Sequence, residues 1–220
     1  MPAQWVTAQP VYGLPAKPKF PRMGAYVQNV VSSGSAHYGQ TLTLGSTPRQ
    51  GDTLIACIST TGSTTGCTIS GGGALWTQAS AGVYGSGNPA AIVVWVGVVG
   101  QFPSTGIVFT WNDYSVAGVI EWTGLSGIAF NARTFGAISG SYTAGPMVVS
   151  PLIGAEFYLW AARATTMTAP SGWYEVAGYT TSSPLNMGVQ FGYTTTPAAS
   201  KTVALSGPAD NEICCLLNVI

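Results

Sequence analysis

The chain has 220 residues, enough to bury a sizeable core as one all-β unit, and only 6% of them are charged. Apolar residues make up 46% and aromatic residues 11%, which excludes intrinsic disorder and suits a protein that buries surface against neighbours. The net charge is zero but uneven: residues 1–22 hold Lys17, Lys19 and Arg22 and no acid, while the remainder holds four bases against seven acids and lacks the basic stripe that nucleic acid needs.

Residues 1–25 stand apart. Five of the fourteen prolines fall here, at Pro2, Pro10, Pro15, Pro18 and Pro21. Proline fixes φ and lacks an N–H, so this stretch is expected to be extended and outside any central strand. Trp5, Tyr12, Leu14 and Phe20 are spaced as anchors for pockets, and Lys17, Lys19 and Arg22 suit an acidic partner surface. Ordering such an arm costs on the order of 1–2 kcal/mol per residue, which contact with the body or a neighbouring subunit must offset.

From Tyr26 onward short strands alternate with turns. Tyr26–Val31, Thr41–Leu44 and Thr53–Ser59 read as strands, and a Ser/Thr/Gly loop runs on to Gly73. Trp76–Ala79 begins another strand. Ala91–Val99 is apolar throughout, as expected of a central strand covered on both faces. Ile107–Trp111 and Val116–Trp122 read as a hairpin about Asn112-Asp113, and Lys201–Ile220 as a second one about Gly-Pro-Ala-Asp-Asn. No stretch holds a helical period, so a sandwich or barrel is expected. The longest apolar run, Ala90–Val99, is about half the ~20 residues of a membrane helix, and the start of the chain shows no signal-peptide pattern.

The pattern then recurs. Gly51-DTLIACIS matches Gly154-AEFYLWAA, Leu75–Gly82 matches Gly172–Tyr179, and Asn88-PAAIVVWVGVV matches Ser183-PLNMGVQFGYT. The two expected hairpins match each other. This predicts two similar parts, about 50–125 and 154–220, read as the halves of one sandwich over residues 26–220 rather than as two small packed sandwiches.

The order GDTLIA, GALWT, an apolar strand, IVFTW, a turn and VAGVIEWTGL resembles a β-sandwich module of bacteriophage virion proteins and bacterial surface proteins. Glu121-Trp122-Thr123-Gly124-Leu125 fits that module's E-[YW]-[ST]-G-L motif. Gly72-Gly73-Ala74-Leu75-Trp76-Thr77 lacks the Asp and Asn of its D-x-x-G-N-x-W-T segment. The resemblance implies a jelly-roll-like sandwich on a virion or cell surface, in which Glu121 bonds backbone or a tyrosine to hold the sandwich.

Residues that could carry chemistry are sparse. His37 is the only histidine, and no G-x-S-x-G elbow accompanies it. Asp113, Glu121, Glu156 and Glu175 are the carboxylates that glycoside hydrolysis could draw on. Asn112-Asp113 and Asp210-Asn211-Glu212 could lend oxygens to calcium, though turn chemistry explains both more simply. Cys57, Cys67, Cys214 and Cys215 show no CxxC spacing and read as buried thiols, with a Cys57–Cys67 bridge left open. No catalytic residue, metal or cofactor is assigned.

The expected function is therefore a non-enzymatic virion structural protein on the particle exterior, either a capsid decoration or a minor tail protein. It would assemble with capsid or tail subunits, and with its own copies, through Trp5, Tyr12, Leu14, Lys17, Lys19, Phe20 and Arg22. No nucleic acid or membrane partner is expected. The alternative is a lectin-like module for host or mucus glycans, stacking sugars on Tyr84, Tyr114, Tyr174 and Tyr179. Trp76 and Trp173 occupy matching repeat positions and are expected in the core.

Overall fold

The computed structural model describes residues 24–32, 36–85, 89–125, 130–138, 142–148, 155–164, 168, 170–180, 187–194, 200–205 and 209–219. The arm anchors Trp5, Tyr12, Leu14, Lys17, Lys19, Phe20 and Arg22 lie outside them. Among the described residues the fold is all-β, without a helix.

The first strands are β1 (Ala25–Val31), β2 (Ala36–His37), β3 (Gln40–Thr43), β4 (Thr53–Thr61), β5 (Thr68–Gly71), β6 (Ala74–Tyr84), β7 (Ala90–Val99), β8 (Gly106–Thr110) and β9 (Tyr114–Thr123). They make a large antiparallel sheet in the order β1-β9-β4-β7-β6, with β2 also on β9, and a small sheet β3-β8-β5. The remaining strands are β10 (Phe130–Ile138), β11 (Tyr142–Val148), β12 (Ala155–Ala164), β13 (Tyr174–Thr180), β14 (Gly188–Thr194), β15 (Ser200–Leu205) and β16 (Ala209–Val219). They make a second large sheet, β10-β16-β12-β14-β13, and a pair β11-β15.

The two large sheets face each other across the main core. Ile55, Ile92, Val94, Val96 and Ile120 of the first sheet meet Phe157, Leu159, Val189, Phe191 and Leu217 of the second, all essentially inaccessible to solvent. On the other face of the first sheet, Leu54, Val93, Trp95 and Val119 pack against Leu42, Ile107 and Phe109 of the small sheet. This makes β7 apolar on both faces, because each of its faces lines a different core. The sheets are stacked so that β1 lies against β13 and β6 against β10.

Three local expectations are corrected by the tertiary arrangement. The strands read as a hairpin about Asn112-Asp113 do not pair with each other: β8 pairs with β3 and β5, and β9 pairs with β1 and β4. The bend carries the chain from the small sheet to the large one, because Ile107 and Phe109 bury into one core while Ile120 and Trp122 bury into the other. β15 and β16 likewise enter different sheets, and Asp210 and Asn211 belong to β16 rather than to a turn. The Ser/Thr/Gly stretch before Gly73 contains β5, held by backbone pairing to β8.

The Cys57–Cys67 bridge is ruled out by position. Cys57 lies in the main core and Cys67 packs on the outer one, so the two thiols stand on opposite faces of the first large sheet.

Candidate functional site

Glu121 anchors the first large sheet from within. It is 1% exposed, and both its oxygens are engaged. The Gln28 side-chain amide of β1 donates to one oxygen, and the Arg49 backbone N–H donates to the other at 3.4 Å. The Asp52 carboxyl lies beside it. Burial raises the Glu121 pKa above the ordinary carboxylate value, and the neighbouring Asp52 acts in the same direction. The carboxyl thus ties three segments together. Glu156 sits in the other large sheet, on the face opposite Phe157, so the two acids do not converge on one substrate position.

Asn112 and Asp113 line a polar cleft of about 310 Å³ with Thr60, Thr61, Ser63, Thr65, Cys67 and Trp111. Asp113 accepts from the Thr61 hydroxyl and from the Tyr114 backbone N–H, the latter at 2.7 Å. The first bond ties the bend between β8 and β9 to the end of β4, and the second is local to the bend. Among the described residues no three His, Cys, Asp or Glu side chains gather as a metal site would need. Asn211 and Glu212 are buried in β16, away from solvent.

The aromatic candidates separate. Tyr114 and Tyr179 pack against the main core. The ring of Tyr84 covers Gly136 of β10, where a Cβ would meet it at 2.1 Å. Trp76 packs on the outer core and donates from its indole to the Gly71 carbonyl at 3.0 Å. Trp173 stands edge-on to Tyr158, 5.5 Å between centroids. Tyr174 alone of the four tyrosines presents most of its ring, being 62% exposed.

Tyr174 belongs to a cluster that the sequence did not single out. It stacks on Tyr193 at 5.3 Å, and Tyr26 stacks on Tyr193 at 6.4 Å. Trp122 supports Tyr193 from below, edge-on at 4.6 Å. Tyr26 bonds Asn29 through its hydroxyl. The cluster fills the seam where β1 meets β13. Its only advance signal was the aromatic ending of the Phe191-Gly192-Tyr193 strand.

The opposite seam, where β6 meets β10, is closed where Tyr84 covers Gly136 and opens at its other end. A groove of about 500 Å³ runs between Leu75, Thr77, Val96, Val98, Val99, Gly100 and Phe130. Leu75 is 81% exposed at its rim, and Phe102 is 85% exposed in the loop that follows Gly100. That loop is held close by the turn Gly71–Gly73, three glycines with positive φ; a Cβ at Gly73 would strike the Phe102 carbonyl oxygen at 2.2 Å.

No protein family, curated protein or solved structure matches this chain.

Proposed function

We propose that this chain is a non-enzymatic structural protein of a phage particle exterior, a capsid decoration or minor tail protein that assembles through its arm and an apolar surface. The observation that carries the reading is the open groove with Leu75 at its rim and Phe102 close by. Large apolar side chains so exposed beside an apolar recess mark a protein interface. The low charge and the Glu121–Leu125 motif agree with it.

The finer architecture belongs to the same reading. The order of β1, β9, β4 and β7 in the large sheet and of β3, β8 and β5 in the small one supports a jelly-roll-like reading, from which β6 departs by pairing with β7. β10, β12, β14 and β16, with β11 and β15, repeat that order. The reading is of one jelly-roll-like sandwich built from two similar halves, with the arm outside it.

The test is mass spectrometry of purified particles from the host that carries this chain. Stoichiometric recovery of the chain, lost when residues 1–22 are deleted, supports the reading. Its absence from intact particles would overturn it.

A second reading is favoured by one observation, the exposed face of Tyr174 on its tyrosine stack: a glycan-binding module, with the sugar ring lying on Tyr174. Binding on a glycan array that disappears in Tyr174→Ala supports it, and an array without binding removes it.

A further inference from the structure

The two seams of the sandwich are equivalent by register, so the packed rings of one show what the groove in the other is shaped to hold. In the first large sheet Trp122 pairs with Tyr26 and with Thr53. In the second, Val219 pairs with Phe130 and with Ala155. Phe130 on β10 thus stands where Tyr26 stands on β1. One rung further in, Ile55 pairs with Val96, which pairs with Thr77. The matching rung is Phe157 with Tyr193, which pairs with Tyr174.

The positions holding the Tyr26–Tyr193–Tyr174 stack in one seam therefore hold Phe130, Val96 and Thr77 in the other. Two phenol rings are replaced by a valine and a threonine. The groove is the space those rings would take, and it keeps the Phe130 ring as one wall. Its form suits an aromatic side chain brought in from outside, stacking as Tyr26 and Tyr174 do on Tyr193.

We infer that the groove at the β6–β10 seam receives an aromatic side chain of this chain's own N-terminal arm. The arm places Trp5, Tyr12 and Phe20 between prolines, an extended segment with rings at intervals. Gly24 lies twelve positions after Tyr12, an extended reach of roughly 40 Å. The large sheet is about 20 Å across from β1 to β6 at ~4.8 Å per strand. Tyr12 and Trp5 can span that distance within one chain, and the same residues can reach a neighbouring copy. The inference rests on the assembly reading and deepens it by naming the surface the arm occupies.

The test uses the purified full-length chain with the photo-crosslinking residue benzoylphenylalanine in place of the exposed Leu75. After irradiation and trypsin digestion, the crosslinked peptide is identified by mass. The expected partner is the segment ending at Lys19 or the Phe20–Arg22 peptide, and the chain-length product shows whether it comes from the same copy or a second one. Trp5→Ala/Tyr12→Ala/Phe20→Ala is expected to cut that product about tenfold, as loss of a buried aromatic anchor does. Thr77→Tyr, which rebuilds one missing ring, should do the same with the arm intact. Crosslinks that avoid residues 1–22, or a yield indifferent to both changes, overturn the inference. Because no particle is involved, this result is independent of whether the chain is found on virions.

Discussion

Phe191 occupies the space in front of Gly118: a Cβ on that glycine would lie 1.9 Å from Phe191 Cζ. Gly118 is in β9 and Phe191 in β14, so the contact is one of closest approach between the two large sheets. Gly118→Ala should therefore overpack the main core and destabilise the protein by about 1–3 kcal/mol. In urea unfolding, Gly118→Ala/Phe191→Leu should lose less than the two single changes summed. An unchanged midpoint for Gly118→Ala would show that the sheets do not meet there.

Glu121→Ala should be costly for a different reason. It removes the acceptor of the Arg49 N–H and one of the two acceptors of the Gln28 amide, whose other is the Ser46 carbonyl. Losing these part-buried hydrogen bonds costs about 1 kcal/mol each. Thermal unfolding should show a lower midpoint, with freer hydrogen exchange at Arg49. Equal stability of variant and wild type would contradict the anchoring role.

Glu212 makes stability depend on pH near neutrality. It is fully buried in β16, and burial pushes its carboxyl up to about 7; the Trp160 indole approaches it without good hydrogen-bond geometry and opposes the rise. The folded protein then keeps this proton where the unfolded chain, with an ordinary glutamate, has released it. Stability should fall as pH rises from about 4.5 to about 7 and level off above that. Glu121, raised in the same direction, adds to the slope. Glu212→Gln should flatten it in urea titrations at several pH values, and a slope left unchanged would place the proton elsewhere.

The cysteines should separate by accessibility. Cys57, Cys214 and Cys215 are fully buried, whereas Cys67 is half-buried with its thiol pushed up to about 11 by desolvation. A thiol reagent should modify one cysteine slowly in the native protein and all four in denaturant. Fast native reaction at Cys57 would mean that the main core opens readily.

Much of the strand content was legible because it is written locally. Ala91–Val99 announced a strand covered on both faces, and β7 does lie between β4 and β6 with a core on either side. β10 was missed because Asn131, Arg133 and Thr134 break the apolar pattern on an edge strand whose pairing to β16 does the holding. β5 was missed because four residues ending in glycine carry almost no propensity of their own.

What the sequence determined by itself was the all-β character, the positions of most strands and the separate composition of the first 25 residues. These follow from alternation, β-branching, proline and glycine, all properties of neighbouring residues. Which strand lies beside which was decided only in three dimensions. The bend at Asn112-Asp113 reads the same whether its strands pair or part, and they part because their apolar faces fill different cores. The tyrosine stack and the open groove have the same origin. Tyr26, Tyr193 and Tyr174 are far apart along the chain, and they meet because β1 is laid against β13.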